Sequence, residues 1–327
     1  MQDQRANQSS ASERARASST STQVTVSEVG PRDGLQSISQ LMRTADKKAW
    51  IHALYNAGLR EIEVGSFVPA KVLPQMADTS ELVEYASRLP GLAVAVLVPN
   101  LKGAEAAVLA GANKITIPFS CSETHSLKNV RRTHEQMIRE IHAVGDYLQS
   151  LPKQTRPHFE GGLSTAFGCT LEGDVPESRV VDFAEILIKA GCDEVGLSDT
   201  TGYANPAQVR RLIRKVHERV GADKLTGIHL HNTRGLGLAN AVTAIDEGLT
   251  TIDASQGGLG GCPFAPGASG NIVTEDLVFM LEAMGISTGI DYGRLMAARQ
   301  LLSDALPGEP LYGMVPLAGL PKNFKSS

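Results

Sequence analysis

The sequence predicts an α/β protein, a (β/α)8 TIM barrel with a short helical C-terminal extension. Two positive observations and one absence predict it. Eight short runs rich in β-branched residues recur between Val24 and Ser255. After each comes a stretch with apolar residues at i, i+3, i+4 and i+7, the period of an amphipathic helix. Eight such units fill roughly 250 residues, the usual length of a closed barrel. The absence concerns the alternative, a doubly wound open sheet. That fold usually carries a glycine-rich phosphate turn after its first strand. Here the first run continues as VSEVGPRDG, with no G-x-G-x-x-G, and GLGLAN at 235–240 lacks the third glycine and follows the seventh run. Neither a P-loop nor a G-x-S-x-G elbow occurs.

The strands, in order, are VTVSEV (24–29), EIEVG (61–65), AVAVLVP (93–99), KITIPF (114–119), HFEGGLST (158–165), EVGLSD (194–199), GIHLHN (227–232) and TTIDAS (250–255). Two helices show the design of the segments between them. In PESRVVDFAEILIKAGC, Pro176 suits a first helical turn and Gly191 a C-terminal cap. NPAQVRRLIRKVHERVGA repeats this with Pro206 and Gly221. The barrel is expected over residues 24–290, with 291–327 as an extension packing on it; one helical pattern covers 291–306. Residues 1–23 contain no Val, Leu, Ile or Phe and read as a disordered polar tail.

Composition narrows the function. The chain has 327 residues, 42% of them hydrophobic, and a formal net charge of −4. That charge argues against a nucleic-acid partner held by phosphate neutralisation. No apolar run approaches the ~18 residues of a membrane span. The cysteines Cys121, Cys169, Cys192 and Cys262 form no C-x-x-C pair, which suits a reducing compartment. The tail has the Ser and Arg of a transit peptide but carries Asp3 and Glu13 and lacks an apolar face. A cytoplasmic location is expected, with a mitochondrial one as the alternative.

The informative polar residues collect at the C-terminal ends of predicted strands, where barrel enzymes place their chemistry. Strand one runs into Arg32, Asp33 and Gln36. Strand two holds Glu63 and runs into Ser66. Strand six ends in Asp199 and Thr200. Strand seven carries His229, His231 and Asn232, and strand eight leads into a glycine-rich loop with Cys262 and Asn271. Taken singly, each has a plainer role: Arg32–Asp33 a local salt bridge, Asp199 and Asn271 helix caps, Cys262 a small buried hydrophobe. Convergence on one rim favours a site. His229 and His231, two apart on a strand, point the same way. Two imidazoles with the carboxylate of Asp33 and the amide oxygen of Asn271, completed by water, suit Mg²⁺ or Mn²⁺. Catalytic zinc on two histidines and a carboxylate is the alternative.

The segments VSEVGPRDGLQ, IEVGSFVPAKVLPQMAD, VPNLKGAEAAVLAGA, LSDTTG, HLHNTRGLGLAN and GGLGGCPFAPGASGNIVTEDLVFML together resemble the 3-hydroxy-3-methylglutaryl-CoA lyase family over about residues 24–290. The resemblance implies a metal-dependent retro-Claisen cleavage to acetyl-CoA and acetoacetate, as in leucine catabolism and ketone-body formation. It implies Asp33, His229, His231 and Asn271 as metal ligands and Arg32 as the cation on the thioester. It implies Glu63 as the acid orienting Arg32, Cys262 as a loop cysteine in proton transfer, and Asp199 as an acid near the substrate. Gln36, Ser66 and Thr200 lie in matching segments as candidate substrate contacts. Either Asp33 or a histidine such as His229 would relay the hydroxyl proton. The CoA phosphates would need cations, with Lys102, Lys128 and Arg131 as candidates, and a homo-oligomer, dimer or tetramer, is expected. Two departures bear on the acyl group: H-N-T-R-G stands where the family tends to read H-D-T-Y-G, placing Asn232 and Arg234 there, and STAFGC resembles SCALGC with Thr165 in place of a cysteine. These leave open a lyase for a citramalyl-type or longer-branched acyl-CoA. A Claisen-condensing synthase of the isopropylmalate or homocitrate type is a further alternative, although such enzymes generally carry extra C-terminal domains.

Overall fold

The computed structural model describes residues 24–260 and 270–324. The predicted polar tail and Cys262 lie outside the described residues. Eight strands form a closed barrel in sequence order. They are β1 (Thr25–Glu28), β2 (Glu61–Ser66), β3 (Ala93–Leu97), β4 (Lys114–Ser120), β5 (His158–Ser164), β6 (Glu194–Asp199), β7 (Gly227–Leu230) and β8 (Thr251–Ala254). All pairings are parallel, and β1 closes the barrel by pairing with β8 as well as β2. The main helices are α1 (Thr44–Ala57), α2 (Thr79–Ala86), α3 (Leu101–Ala110), α4 (Glu123–Asn129), α5 (His134–Gln149), α6 (Glu177–Lys189), α7 (Pro206–Val220), α8 (Gly237–Asp246), α9 (Thr274–Ala283), α10 (Tyr292–Ala305) and α11 (Met314–Ala318).

Strand alternation decides what faces where. On β4, Ile115, Ile117 and Phe119 are fully buried against the helical layer. The intervening residues point into the barrel. Lys114 proves the direction: its Nζ lies 2.6 Å from Glu160, 3.3 Å from Glu194 and 3.4 Å from Glu61. A single ammonium reaches carboxylates on β2, β5 and β6 at once only across the interior. These charges form a floor at the N-terminal ends of the strands and leave the C-terminal ends for chemistry.

The helices follow their end signals. In α7, Asn205 caps the N-terminus, its side chain accepting from the Gln208 amide at 3.1 Å. Pro206 opens the first turn, and Val209, Leu212, Ile213 and Val216 make the buried stripe. Gly221 ends it at φ +100°, a conformation that costs glycine little. Gly191 sits just past α6 at φ +105° for the same reason.

The C-terminal extension is tied to the barrel. Leu295, Ala298 and Leu302 of α10 are fully buried. Trp50 Nε1 donates to Gln256 Oε1 at 2.7 Å, and Gln256 Nε2 donates to the Leu295 carbonyl at 2.8 Å. One amide side chain thus joins α1, the turn after β8 and α10.

The seventh strand differs from expectation. It was predicted to run to Asn232, yet β7 ends at Leu230. Beyond it the chain returning after β8 becomes the partner. Ile272 N donates to the Leu230 carbonyl at 3.1 Å, and Asn232 N to the Gly270 carbonyl at 2.9 Å. His231 and Asn271 therefore face each other in an antiparallel bridge.

Candidate metal centre and active site

After β1 the backbone makes one wide turn, Gly30–Gly34, in which the amides of Arg32 and Asp33 both point at the Val29 carbonyl, at 3.1 and 2.7 Å. This turn lifts Arg32 and Asp33 over the mouth of the barrel. Arg32 Nε donates to Glu63 Oε2 at 2.6 Å, and its Nη1 to Asp33 Oδ1 at 2.6 Å. Gln36 Nε2 donates to the same Asp33 oxygen at 2.8 Å. Asp33 Oδ2 is left facing the histidines, 3.9 Å from His229 Nε2.

The two imidazoles meet at their Nε2 atoms, 3.1 Å apart. His229 Nδ1 lies 3.0 Å from Asp253 Oδ2 on β8. A carboxylate only accepts, so Nδ1 carries the proton and the neutral ring turns its Nε2 lone pair to the centre. One ligating atom each from Asp33, His229 and His231 fits within 4.8 Å of the others. Asn271 Nδ2 donates to Asp33 Oδ2 at 2.7 Å and to the Leu259 carbonyl at 3.1 Å. Among the described residues its Oδ1 is buried without a partner, as is His231 Nδ1. An orphaned amide oxygen beside two converging imidazoles and a carboxylate fits a hard divalent cation, which would satisfy it.

Burial and charge set the protonation of this group. Burial would raise Asp33, but Arg32 and the two histidines outweigh it and hold its carboxyl down at about 2. Burial pushes Glu63 up to about 7 against the pull of Arg32. His231 is driven down to about 4, by burial first and by His229 second. Burial would also lower His229, yet Asp253 and Asp33 raise it above the ordinary imidazole value.

A model of the HMGL-like family matches residues 23–302. The chain belongs to the HMGL-like family. It is 42% identical over 288 residues to a hydroxymethylglutaryl-CoA lyase of Bacillus subtilis, covering 88% of this chain and 94% of that one. It is 40% identical over 283 residues to the mitochondrial hydroxymethylglutaryl-CoA lyase of Homo sapiens, 86% of each chain. Among solved structures, an HMG-CoA lyase from A. baumannii, in complex with coenzyme A and 3-methylmalate, superposes with a TM-score of 0.87 at 40% identity, covering 95% of this chain and 99% of that chain.

In this HMGL-like chain, Arg32, Asp33, Gln36, Glu63, His229, His231 and Asn271 come together as one cluster. The remaining residues are placed differently. The Asp199 carboxylate accepts from the Tyr203 amide at 2.8 Å and the Ala204 amide at 3.2 Å, bracing the loop after β6. Burial raises it to about 6 even so. Thr200 Oγ1 accepts from the Thr165 amide at 2.8 Å. Ser66 is buried, and among the described residues its Oγ has no partner and makes no hydrogen bond to the cluster. Asn232 Oδ1 accepts from the Gly237 amide at 3.0 Å. Arg234 donates to the carbonyls of Thr201 and Gly202, each at 3.0 Å, and stacks over Tyr203 at 4.5 Å. Lys102, Lys128 and Arg131 are exposed.

Two residues escaped the sequence reading. Asp253, the acid in TTIDAS, pairs in register with His229. An acid amid a buried strand was the available signal. Gly260 has φ +110°, and a Cβ there would collide with Asn271 Nδ2 and come within 3.1 Å of Asp33 Oδ2. Its need for glycine was hidden in a loop already rich in it.

Proposed function

We propose that this HMGL-like protein is a divalent-metal-dependent carbon–carbon lyase that cleaves 3-hydroxy-3-methylglutaryl-CoA to acetyl-CoA and acetoacetate. What carries the reading is the convergence of Asp33, His229, His231 and Asn271 beside the Arg32–Glu63 pair. Those four residues would hold the ion, Mg²⁺ or Mn²⁺, with Zn²⁺ as the alternative. Such an ion supplies positive charge that eases loss of a proton from a hydroxyl.

In the reaction, the C3 hydroxyl gives up its proton, its oxygen becomes the ketone of acetoacetate, and the C2–C3 bond breaks. The bond's electrons pass into the thioester enolate, which takes a proton at C2 to give acetyl-CoA. Asp33 and His229, both at the centre, are the two candidate relays for that proton. Arg32, held at its Nε by Glu63, is a fixed cation for the enolate oxygen. Cys262 is the proposed proton donor to C2. A free thiol near 8.5 is mostly protonated at pH 7. On either side of it in the chain, Asn271 bonds Asp33, and a Cβ at Gly260 would lie 3.1 Å from Asp33 Oδ2. Gln36 steadies Asp33, while Ser66, Asp199, Thr200, Asn232 and Arg234 shape the rim for the acyl group. Lys102, Lys128 and Arg131 serve the CoA phosphates.

A lyase for a related acyl-CoA, of the citramalyl type or longer-branched, is the second reading; the A. baumannii relative was solved with another short hydroxy diacid, 3-methylmalate. Among the described residues no helix is long and apolar enough to cross a membrane. A cytoplasmic location and a dimer or tetramer complete the proposal, the latter to be checked by light scattering. Incubation of the purified protein with Mg²⁺ and 3-hydroxy-3-methylglutaryl-CoA is expected to release acetyl-CoA and acetoacetate. Release of free CoA only when a keto acid and acetyl-CoA are supplied, without cleavage, would make it a condensing synthase instead.

A further inference from the structure

The turn Gln256–Gly258, just after β8, is gripped by the C-terminal extension. Gly257 and Gly258 both take positive φ, +67° and +64°, a reversal that suits glycine. Both backbone polar groups of Gly257 are held. Its amide donates to Glu275 Oε2 on α9 at 3.1 Å, and its carbonyl accepts from the Tyr312 amide at 2.7 Å. Arg299 of α10 closes the circuit. Its Nη1 donates to Glu275 Oε1 at 2.8 Å and to the Tyr312 carbonyl at 2.9 Å. The Glu275 side chain is fully buried and that of Arg299 is 13% exposed. The extension also fills the space beside the turn. A Cβ at Gly257 would meet Leu311 Cδ2 at 2.9 Å, and one at Gly258 would meet Tyr312 Cβ at 3.4 Å.

One residue beyond this turn lies a bond to the metal centre. The Leu259 carbonyl accepts from Asn271 Nδ2 at 3.1 Å, and the other partner of that nitrogen is Asp33 Oδ2 at 2.7 Å. A carbonyl and a carboxylate only accept, so the NH2 end of the amide faces them and Oδ1 is the end left for an ion. The backbone around Asn271 is anchored by other elements. Ile272 N donates to the Leu230 carbonyl at 3.1 Å, and the Ile272 carbonyl accepts from the Ser255 amide at 3.0 Å. The extension therefore bears on the direction of the Asn271 side chain, through the place it gives the Leu259 carbonyl.

We propose that the C-terminal extension is a working part of the metal centre, with Arg299 as a positioning residue for the ligand Asn271. Arg299 holds Glu275 and the Tyr312 carbonyl, these set the turn, and the turn places the Leu259 carbonyl that turns Asn271 Oδ1 to the ion. The inference rests on the metal centre of the proposed lyase and is independent of which acyl group that lyase takes. A plainer role for Arg299, neutralising a buried carboxylate, predicts a loss of stability with no effect on the ion's affinity. Partners directly behind a metal ligand affect affinity by about 10–100-fold, and Arg299 stands further back, so the low end of that range is expected.

The test is a calorimetric titration of Mn²⁺ into the metal-free full-length protein, at a temperature where circular dichroism shows each variant folded. Arg299→Met is expected to bind Mn²⁺ about ten-fold more weakly than the wild type. Arg299→Lys keeps an ammonium for Glu275 and the Tyr312 carbonyl, and should return the affinity to within about three-fold. In an Asn271→Ala background the same Arg299→Met change should cost less than about two-fold more, because residues that act through one another are not additive. Where Arg299→Met leaves Glu275 uncompensated and the chain unfolded, Glu275→Gln is added to both members of each comparison; it removes the charge and keeps an acceptor for the Gly257 amide. Wild-type affinity in Arg299→Met, or equal losses with and without Asn271, overturns the proposal. A wild type that binds no Mn²⁺ overturns both the metal centre and this link. Cleavage of the thioester is assayed on the same preparations. The predicted pattern of Mn²⁺ affinities in a protein that cleaves nothing would sink the lyase reading and leave the role of Arg299 standing.

Discussion

Asp253 is the residue whose role is read most directly from one bond. It holds His229 Nδ1 at 3.0 Å, and a carboxylate behind a ligating imidazole fixes the ring's tautomer and raises its basicity. Asp253→Asn is expected to weaken Mn²⁺ binding by about 10–100-fold in a calorimetric titration, with the melting temperature of the metal-free protein little changed. Equal affinity in the variant would remove Asp253 from the centre. On the proposed reading Arg32 acts later, on the developing enolate. Arg32→Gln should lower kcat by about 10²–10³ in steady-state assays. A change confined to KM would assign Arg32 to uniform substrate binding instead.

Among the elements, the seam between β1 and β8 is closed by a buried acid. Glu28 Oε1 accepts from the amides of Gly30 and Gln256, both at 2.9 Å, and Thr274 Oγ1 donates to Oε2 at 2.7 Å. Burial pushes its carboxyl from 4.5 up to about 8. The folded state therefore holds this proton more tightly than the unfolded chain does. Its contribution is fully present below about 4.5 and is lost as pH rises toward about 8, at up to ~1.4 kcal/mol per pH unit. Glu28→Gln keeps a neutral, hydrogen-bonding group, so thermal melts should show the variant gaining on the wild type between pH 5 and 8. A difference that stays flat across that range would contradict the buried-acid account. The returning chain after β8 is a second such element. Gly260→Ala should weaken metal binding, because a Cβ there meets Asn271 and Asp33. The eight strands were legible in the sequence because alternation and β-branching survive without any tertiary knowledge. The end of β7 was not, since its last partner is a segment forty residues downstream that no local pattern announces. Asn271 was legible as a polar group in the loop after the eighth strand, on the same rim as the histidines, whereas Asp253 emerges only through cross-strand register.

At the scale of the whole molecule, the barrel and its extension behave as one folded body. The Trp50–Gln256–Leu295 chain and the buried face of α10 join them. A chain ending at residue 290 would lose Leu295 and Leu302 from the core, each worth about 2–5 kcal/mol on truncation to alanine. It should melt at lower temperature, with the emission of Trp50, the single tryptophan, shifted to the red. Melting and emission identical to the full chain would make the extension an independent appendage. The larger claim is that residues from β1, β7 and the segment after β8, 238 positions apart at the Asn271–Asp33 contact, make one ion site that drives carbon–carbon cleavage. Its most direct measurement is acetyl-CoA release from 3-hydroxy-3-methylglutaryl-CoA by wild type and His231→Ala, each with Mg²⁺ and after chelation, alongside metal content per chain. The account predicts cleavage only by the metal-loaded wild type, and little metal retained by the variant. Undiminished cleavage by metal-free His231→Ala would contradict it.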